Sequence, residues 1–296
     1  MKCVSSVFLL FFSCAIHSAS ITWLRTDAPP FSMPKNDSQQ GVCDLVLTEI
    51  IRHAPHINHQ VLTIPQARTD HYLAQGDNVC VPCLIKRPDT PLIKYSVATS
   101  VYPDQVVIST VQKKVQITAK HEEPINLQSL LLDDQLRYGQ SLGRKYSESI
   151  QNLMNNIQSR EDVTASHRSS DQANVLGDML VANRIDYGID YPFIAQYYNN
   201  KHDQALLATT KIHNTNSQPI LGAVGCAQKA PDNFAASSIE LINRVLAKDI
   251  LPSERYKQHQ KQWLGHYFDD FEGLYDEHVL IKKPVTGTGF SDNQDK

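Results

Sequence analysis

Residues 21–31, Ile21-Thr22-Trp23-Leu24-Arg25-Thr26-Asp27-Ala28-Pro29-Pro30-Phe31, set the pattern for the rest of the chain. The apolar run Ile21-Thr22-Trp23-Leu24 has strand character, with Trp23 facing a core. Asp27-Ala28-Pro29-Pro30 stops it, because proline fixes φ and removes a backbone donor. A helix is expected next, over residues 44–53. Leu47, Ile50 and Ile51 fall at i, i+3 and i+4, and Pro55 lies just past its end. Residues 60–64, 79–85 and 104–111 read as strands. Strand and helix therefore alternate through the first hundred residues, which implies a parallel sheet covered by helices.

The alternation begins again at Lys113. Residues 115–119 and 136–141 are expected as strands. Gly143 opens a helix with Tyr146, Ile150, Leu153, Met154 and Ile157 on its inner face. A further helix is expected over residues 171–182, capped by Ser170 or Asp171. Residues 185–190 and 219–226 read as strands. Two helices close the chain, one carrying Ile239, Ile242, Val245 and Leu246, the other Tyr256 and Trp263. Two α/β units in one chain imply two lobes with a cleft between them, crossed near residues 105–111 and 219–224. The expected division is 21–108 with 221–276 for lobe 1, 109–220 for lobe 2, and a mobile tail over 277–296.

Of the 296 residues, 41% are apolar and 20% charged, so a sizeable core is available. The net charge of −3 excludes the basic signature of a nucleic-acid binder. At the amino terminus, Lys2 precedes the apolar run Val7-Phe8-Leu9-Leu10-Phe11-Phe12, and small residues follow up to Ser20. That is the layout of a secretory signal peptide over residues 1–20, with cleavage expected between Ala15 and Ile21. The run is shorter than the ~20 residues that span a bilayer. A lipid anchor through Cys14 fits poorly behind Phe11-Phe12-Ser13. Export of a soluble protein follows as the expectation, and a monomer is expected.

Beyond the leader stand Cys43, Cys80, Cys83 and Cys226. An even number in an exported chain favours two disulfides, with three possible connectivities. Cys80-Val81-Pro82-Cys83 is also the spacing of a redox motif. Such a motif places its first thiol at a helix start, and Pro88 and Pro91 leave no room for that helix. A zinc site would need a second paired spacing. His53, His56 and His59 flank Pro55, which breaks the helix that would align them as metal ligands, so they read as surface residues. No metal or cofactor is expected.

This order of elements resembles the bacterial extracellular solute-binding proteins of family 3, the periplasmic receptors of amino-acid-type ABC importers. The likeness runs over roughly residues 21–265. Thr26-Asp27-Ala28-Pro29-Pro30-Phe31 resembles the family's first strand exit, where Pro-Pro-Phe lines the cleft. Residues 41–44, 73–76 and 139–146 resemble its glycine-marked steps into helices and strands. Tyr95-Ser96 followed by Tyr102 resembles its segment before the first hinge strand. Asp190-Tyr191-Pro192 resembles its late strand, whose acidic end meets a ligand amine. The resemblance implies a periplasmic-binding-protein-like type II fold: two α/β lobes joined by two hinge strands. The family's Thr-x-x-Arg segment is replaced by Lys86-Arg87-Pro88-Asp89-Thr90, and its glycine-threonine turn by Gly143-Arg144-Lys145-Tyr146.

The expected ligand set is Asp27, Phe31, Arg87, Ser96, Arg144, Tyr146 and Asp190. Phe31, in a proline-fixed loop, either stacks on a ligand or plugs the first lobe's core. Arg87 offers a bidentate grip on an acid, or is a solvated loop arginine. Arg144 would sit at a helix start that favours anions. Tyr146 there is equally explained as the helix's first inward residue. Asp190, at the carboxyl end of a strand, points into the crevice of an open sheet and could hold an amine. Asp27 has the same reading, and both are also good turn residues. Asp186 is expected to face solvent or to cap a neighbour.

A receptor for a small polar solute, amino-acid-like or amine-bearing, is thus the first functional expectation. Its partner would be an inner-membrane ABC permease. The second is a sensory module that docks on a membrane signalling protein. An enzyme is disfavoured, since the chain has no G-x-S-x-G, no H-E-x-x-H and no G-x-x-x-x-G-K-[ST].

Overall fold

The strand expected at Ile21 is β1 (Ser20–Arg25) of a computed structural model that describes residues 20–35, 37–158, 167–169, 174–213 and 218–280. Then follow α1 (Asp44–His53), β2 (Asn58–Thr63), α2 (Thr69–Gln75), β3 (Val79–Ile85) and β4 (Ile93–Tyr102). The chain crosses through residues 103–105 into β5 (Val106–Thr110), α3 (Val111–Lys120), α4 (Leu127–Leu131), β6 (Tyr138–Ser141) and α5 (Glu148–Gln158). It continues with β7 (His167–Ser169), α6 (Asn174–Val181), β8 (Tyr187–Asp190), α7 (Pro192–Lys201) and β9 (Leu207–Thr210). It returns in β10 (Ile220–Ala227) and ends on α8 (Phe234–Val245), α9 (Glu254–Leu264) and α10 (Phe271–His278).

Two five-stranded sheets result, in the orders β2-β1-β3-β10-β4 and β7-β6-β8-β5-β9. The chain leaves the first sheet once and comes back once. Each sheet is mixed, where the alternation implied parallel strands. β10 runs antiparallel to β3 and β4, and β5 antiparallel to β8 and β9. A strand arriving from the other lobe has no crossover helix to fix it parallel. The first crossing lies at 103–105, just ahead of its expected segment, and the chain is back in the first sheet from Ile220. The expected boundary between Ile108 and Ser109 therefore falls inside β5, and Ile220 already belongs to the first sheet.

Residues 115–119, read as a strand, lie in α3. Their β-branched run has only Ile117 buried, while Val115 is 67% exposed, so the apolar residues do not share a strand face. The Thr110 hydroxyl caps this helix by accepting from the Lys113 N–H at 3.2 Å. The helix expected from Gly143 begins only at Glu148, because Gly143 has φ +77°, outside the right-handed helical region. Glu277 and His278 lie in α10, and Val279 is buried, so residues 277–280 belong to the fold and not to a tail. Ser20, assigned to the leader, pairs with Asn58 in the sheet. The rest of the leader, the cap at Ser170 or Asp171 and residues 281–296 lie outside the described residues.

Cys80 and Cys83 stand three apart on β3, so their side chains leave opposite faces of the strand and cannot join one another. Cys80 pairs with Cys226, its register partner on β10, across a Cα separation of 4.0 Å. Cys83 pairs with Cys43, just ahead of α1, at 5.8 Å. Both bonds lie in the first lobe and tie β3 to its neighbours, as expected of structural disulfides. Such pairs belong to chains folded in an oxidising compartment. Among the described residues no helix is long and apolar enough to cross a membrane. His59 is engaged rather than free at the surface: Trp23, fully buried, donates its Nε1–H to His59 Nδ1 at 3.0 Å.

Asp186 is buried rather than solvated and anchors the second sheet. It receives the Arg137 N–H at 2.8 Å, the Arg137 Nε–H at 2.9 Å and the Lys113 ammonium at 3.0 Å. Burial alone would raise its pKa. The Arg137 side chain, the Arg137 N–H and Lys113 outweigh burial and hold it at about 2. Its unfolded pKa is higher, so the stabilisation is complete above the ordinary carboxylate range and is lost as pH falls toward 2. Thermal melts taken downward from about pH 5 should therefore fall more steeply for the native protein than for Asp186→Asn. Equal slopes would refute the role of this cluster.

Candidate functional site

The loop after β1 carries the first wall of a cleft between the lobes. Phe31 N–H donates to the Ala28 carbonyl at 2.9 Å, and Cys43 N–H donates to the Phe31 carbonyl at 2.8 Å. Asp44, the first residue of α1, accepts from the N–H groups of Met33 and Gly41, both at 2.8 Å. The Phe31 main chain is therefore fixed on both sides, through its N–H and its carbonyl. Tyr102, at the end of β4, meets it edge-on at 5.8 Å between centroids. The Tyr102 hydroxyl contacts Cys83 Sγ at 3.0 Å, and burial pushes its phenol up to about 12. Gly222 on β10 makes room, since a Cβ there would lie 2.8 Å from the Tyr102 ring.

The second lobe supplies Tyr191 and Arg144. Pro192 opens α7 and leaves Tyr191 extended at φ −72°, ψ 145°, with its ring turned onto Phe31 at 5.6 Å. Arg144 follows Gly143 in the turn after β6. Its guanidinium carbon lies 4.9 Å from the Phe31 ring centroid and 5.4 Å from that of Tyr191. These are cation–π distances. Arg144 Nη2 donates to Asp190 Oδ1, the last residue of β8, and the two side chains are only 11% and 8% exposed. Asp190 Oδ1 also accepts the Tyr191 N–H at 2.7 Å. Burial opposes both charges and raises the Asp190 carboxyl, while Asp190 holds the Arg144 guanidinium above its ordinary pKa.

A cavity of about 130 Å³ lies between these walls. One water takes ~10–15 Å³ on that scale, so the space suits a small solute. The first lobe contributes Leu24, Val81, Leu84 and the Cys43–Cys83 pair, with Gln66 and Ala67 from the turn before α2. The second contributes Gly143, Arg144, Lys145 and Tyr191. Three contacts join the lobes at its rim. Arg87 Nη2 donates to the Tyr146 carbonyl at 2.8 Å, and Lys145 pairs with Asp70 at 2.5 Å. Gly143 packs so closely on the first lobe that a Cβ there would lie 2.8 Å from Ala67 Cα and N.

No family model matches the chain, and no curated protein matches it in sequence. Solved structures do match. A substrate-binding protein of an ABC uptake transporter from Streptococcus pneumoniae, with bound histidine, is 14% identical over 90% of this chain and 95% of its own, with a TM-score of 0.60. An ancestral arginine-binding protein bound to arginine is 15% identical over 83% and 98%, at 0.59. A histidine kinase sensor domain with similarity to periplasmic binding proteins is 11% identical over 84% and 96%, at 0.60. The fold is that of the periplasmic binding proteins.

Within this periplasmic-binding-protein fold, Phe31 and Arg144 of the expected ligand set line the cavity. Asp190 reaches it through Arg144, so its carboxylate is already ion-paired and not a bare acid facing an amine. Arg144 does not start a helix, because the chain is not helical before Glu148. Arg87 serves as an interlobe latch rather than a grip in the cavity. Asp27 is 47% exposed and turned onto Arg25 at 2.5 Å. Ser96 is buried in the sheet, where its hydroxyl accepts the Val224 N–H at 3.0 Å and bridges β4 to β10 beside a bulge. Tyr146 packs in the second lobe's core, its hydroxyl 2.9 Å from that of Tyr138. Asp27, Ser96 and Tyr146 thus stand outside the cavity lining. Tyr102 and Tyr191, which do line it, were not among the expected ligands.

Proposed function

We propose that this chain is an exported receptor that closes its two lobes around a small polar solute, amino-acid-like or amine-bearing, and presents it to an ABC importer of the inner membrane. The carrying observation is a cavity with an aromatic wall from each lobe, Phe31 and Tyr102 facing Tyr191, around the Arg144 guanidinium. A ligand that touches both walls stabilises the closed arrangement by its differential contacts, and a closed arrangement is what a partner can recognise. Affinity for a solute, rather than turnover, is the activity this reading assigns. Membership of family 3 and a periplasmic location belong to the same reading, supported by the motif order, the leader-like amino terminus and the two disulfides.

The test is a thermal-shift screen against amino acids, polyamines, short peptides and organic acids. A ligand at 100 times its Kd adds ~2.7 kcal/mol, which raises Tm by about 5–10 °C in a protein of this size. A screen in which nothing moves Tm would defeat the proposal. The likeness to a kinase sensor domain favours a second reading, in which the loaded receptor docks on a membrane signalling protein. Ligand-dependent capture by the permease supports the first reading, and capture by a sensor kinase supports the second.

A further inference from the structure

Four charged side chains line the cavity, and they differ in how they are partnered. Arg25 donates to Asp27, Asp44 and the Met33 carbonyl. Lys145 and Asp70 neutralise one another at an exposed edge. Arg144 is different. Its Nη2 reaches Asp190, but its buried Nε has no hydrogen-bond partner. The Tyr191 hydroxyl, on the ring that flanks the guanidinium, is buried and has none either. Burial pushes that phenol far above its ordinary pKa, so it keeps its proton to donate.

An unmade hydrogen bond on a buried group is destabilising, and more so on a charged one. Such groups are rare in native proteins and call for an explanation. Here both can donate, both belong to the second lobe, and both lie on residues that line the cavity. An acceptor is what they lack. A carboxylate brings two oxygens, and guanidinium is the side chain best matched to it. The aromatic faces of Phe31 and Tyr191 keep water away and strengthen any such contact.

We propose that the solute carries a carboxylate, and that Arg144 of the second lobe, assisted by the Tyr191 hydroxyl, is its anchor. This rests on the solute-receptor reading and selects within it acid-bearing solutes over polyamines. Asp190 is then a positioning residue that holds the guanidinium between its two rings.

Titration calorimetry on the unmodified protein tests this with the twenty L-amino acids, succinate, putrescine and spermidine. Histamine and agmatine serve as the decarboxylated partners of histidine and arginine. Acids are expected to bind, and a bound acid to exceed its decarboxylated partner by at least about tenfold, the worth of one charge-assisted hydrogen bond. Tyr191→Phe is expected to weaken the bound acid roughly three- to tenfold with Tm unchanged or raised, because the hydroxyl it removes has no partner in the fold. A tyrosine that only packs would leave affinity unmoved. If amines bind as tightly as acids, or Tyr191→Phe binds the acid at native affinity, the carboxylate anchor is overturned and the receptor reading stands. If no member of the panel binds, both fall together.

Discussion

Gly143→Val is expected to leave both lobes folded and to reduce solute affinity by about a hundredfold or more. Two separate constraints meet at this position. The first is local: φ is +77°, a conformation that costs a β-branched residue on the order of 1–3 kcal/mol. That cost stays with the turn whether the lobes are together or apart, so it lowers Tm without selecting between them. The second exists only when the lobes meet. A Cβ at Gly143 would lie 2.8 Å from Ala67 Cα and N and 2.9 Å from the Gln66 carbonyl carbon. These are backbone atoms of the first lobe and cannot rotate aside. Apparent affinity falls in proportion to the population of the competent closed form, so ~3 kcal/mol against closure gives roughly hundredfold weaker binding. Calorimetry would read the affinity, and small-angle scattering would read the radius of gyration with and without solute. Native affinity together with native compaction would show that closure does not bring Gly143 onto Ala67.

The alternation of strand and helix was legible because β1, α1 and β3 each carry their own period and their own stop signal. The error at α3 has a local cause. Val111, Val115 and Ile117 favour strands by their side chains, but Thr110 caps a helix and two of the three are exposed. Site residues divided along similar lines. Phe31 could be read because prolines fix its loop, and Arg144 lines the cavity although the helix start from which it was expected lies further on, at Glu148. Tyr191 gave a weak signal, an aromatic between a strand-end acid and a helix-opening proline. What no local pattern carries is partnership. Arg87 meets a backbone carbonyl 59 residues away, and Asp190 meets an arginine 46 residues back. A lone arginine and a lone aspartate therefore read as ligands, although one latches the lobes and the other is neutralised within its own.

That pairing gives the second large effect, on stability and affinity together. Asp190→Ala is expected to destabilise the protein by about 3–5 kcal/mol, because it strands a buried guanidinium between Phe31 and Tyr191. Arg144→Met should cost less, since the thioether fits the aromatic setting and the raised pKa of Asp190 lets its carboxyl protonate more readily once the arginine is gone. The double variant Asp190→Ala/Arg144→Met should recover most of the loss, because no charge is then left buried. Urea melts of the four proteins give the coupling directly, and a value near zero would mean that water, not Asp190, balances Arg144. The same variants separate the two possible roles of Asp190 in binding. As a positioning residue it acts through the guanidinium, so Asp190→Ala weakens acids about tenfold or more and has no further effect once Arg144 is Met. As a direct partner of a ligand amine it would keep its effect in the Arg144→Met background, with amine-bearing solutes at least about tenfold weaker there. Guanidinium and carboxylate lie on one lobe and touch one another within it. The first of these outcomes follows from that contact.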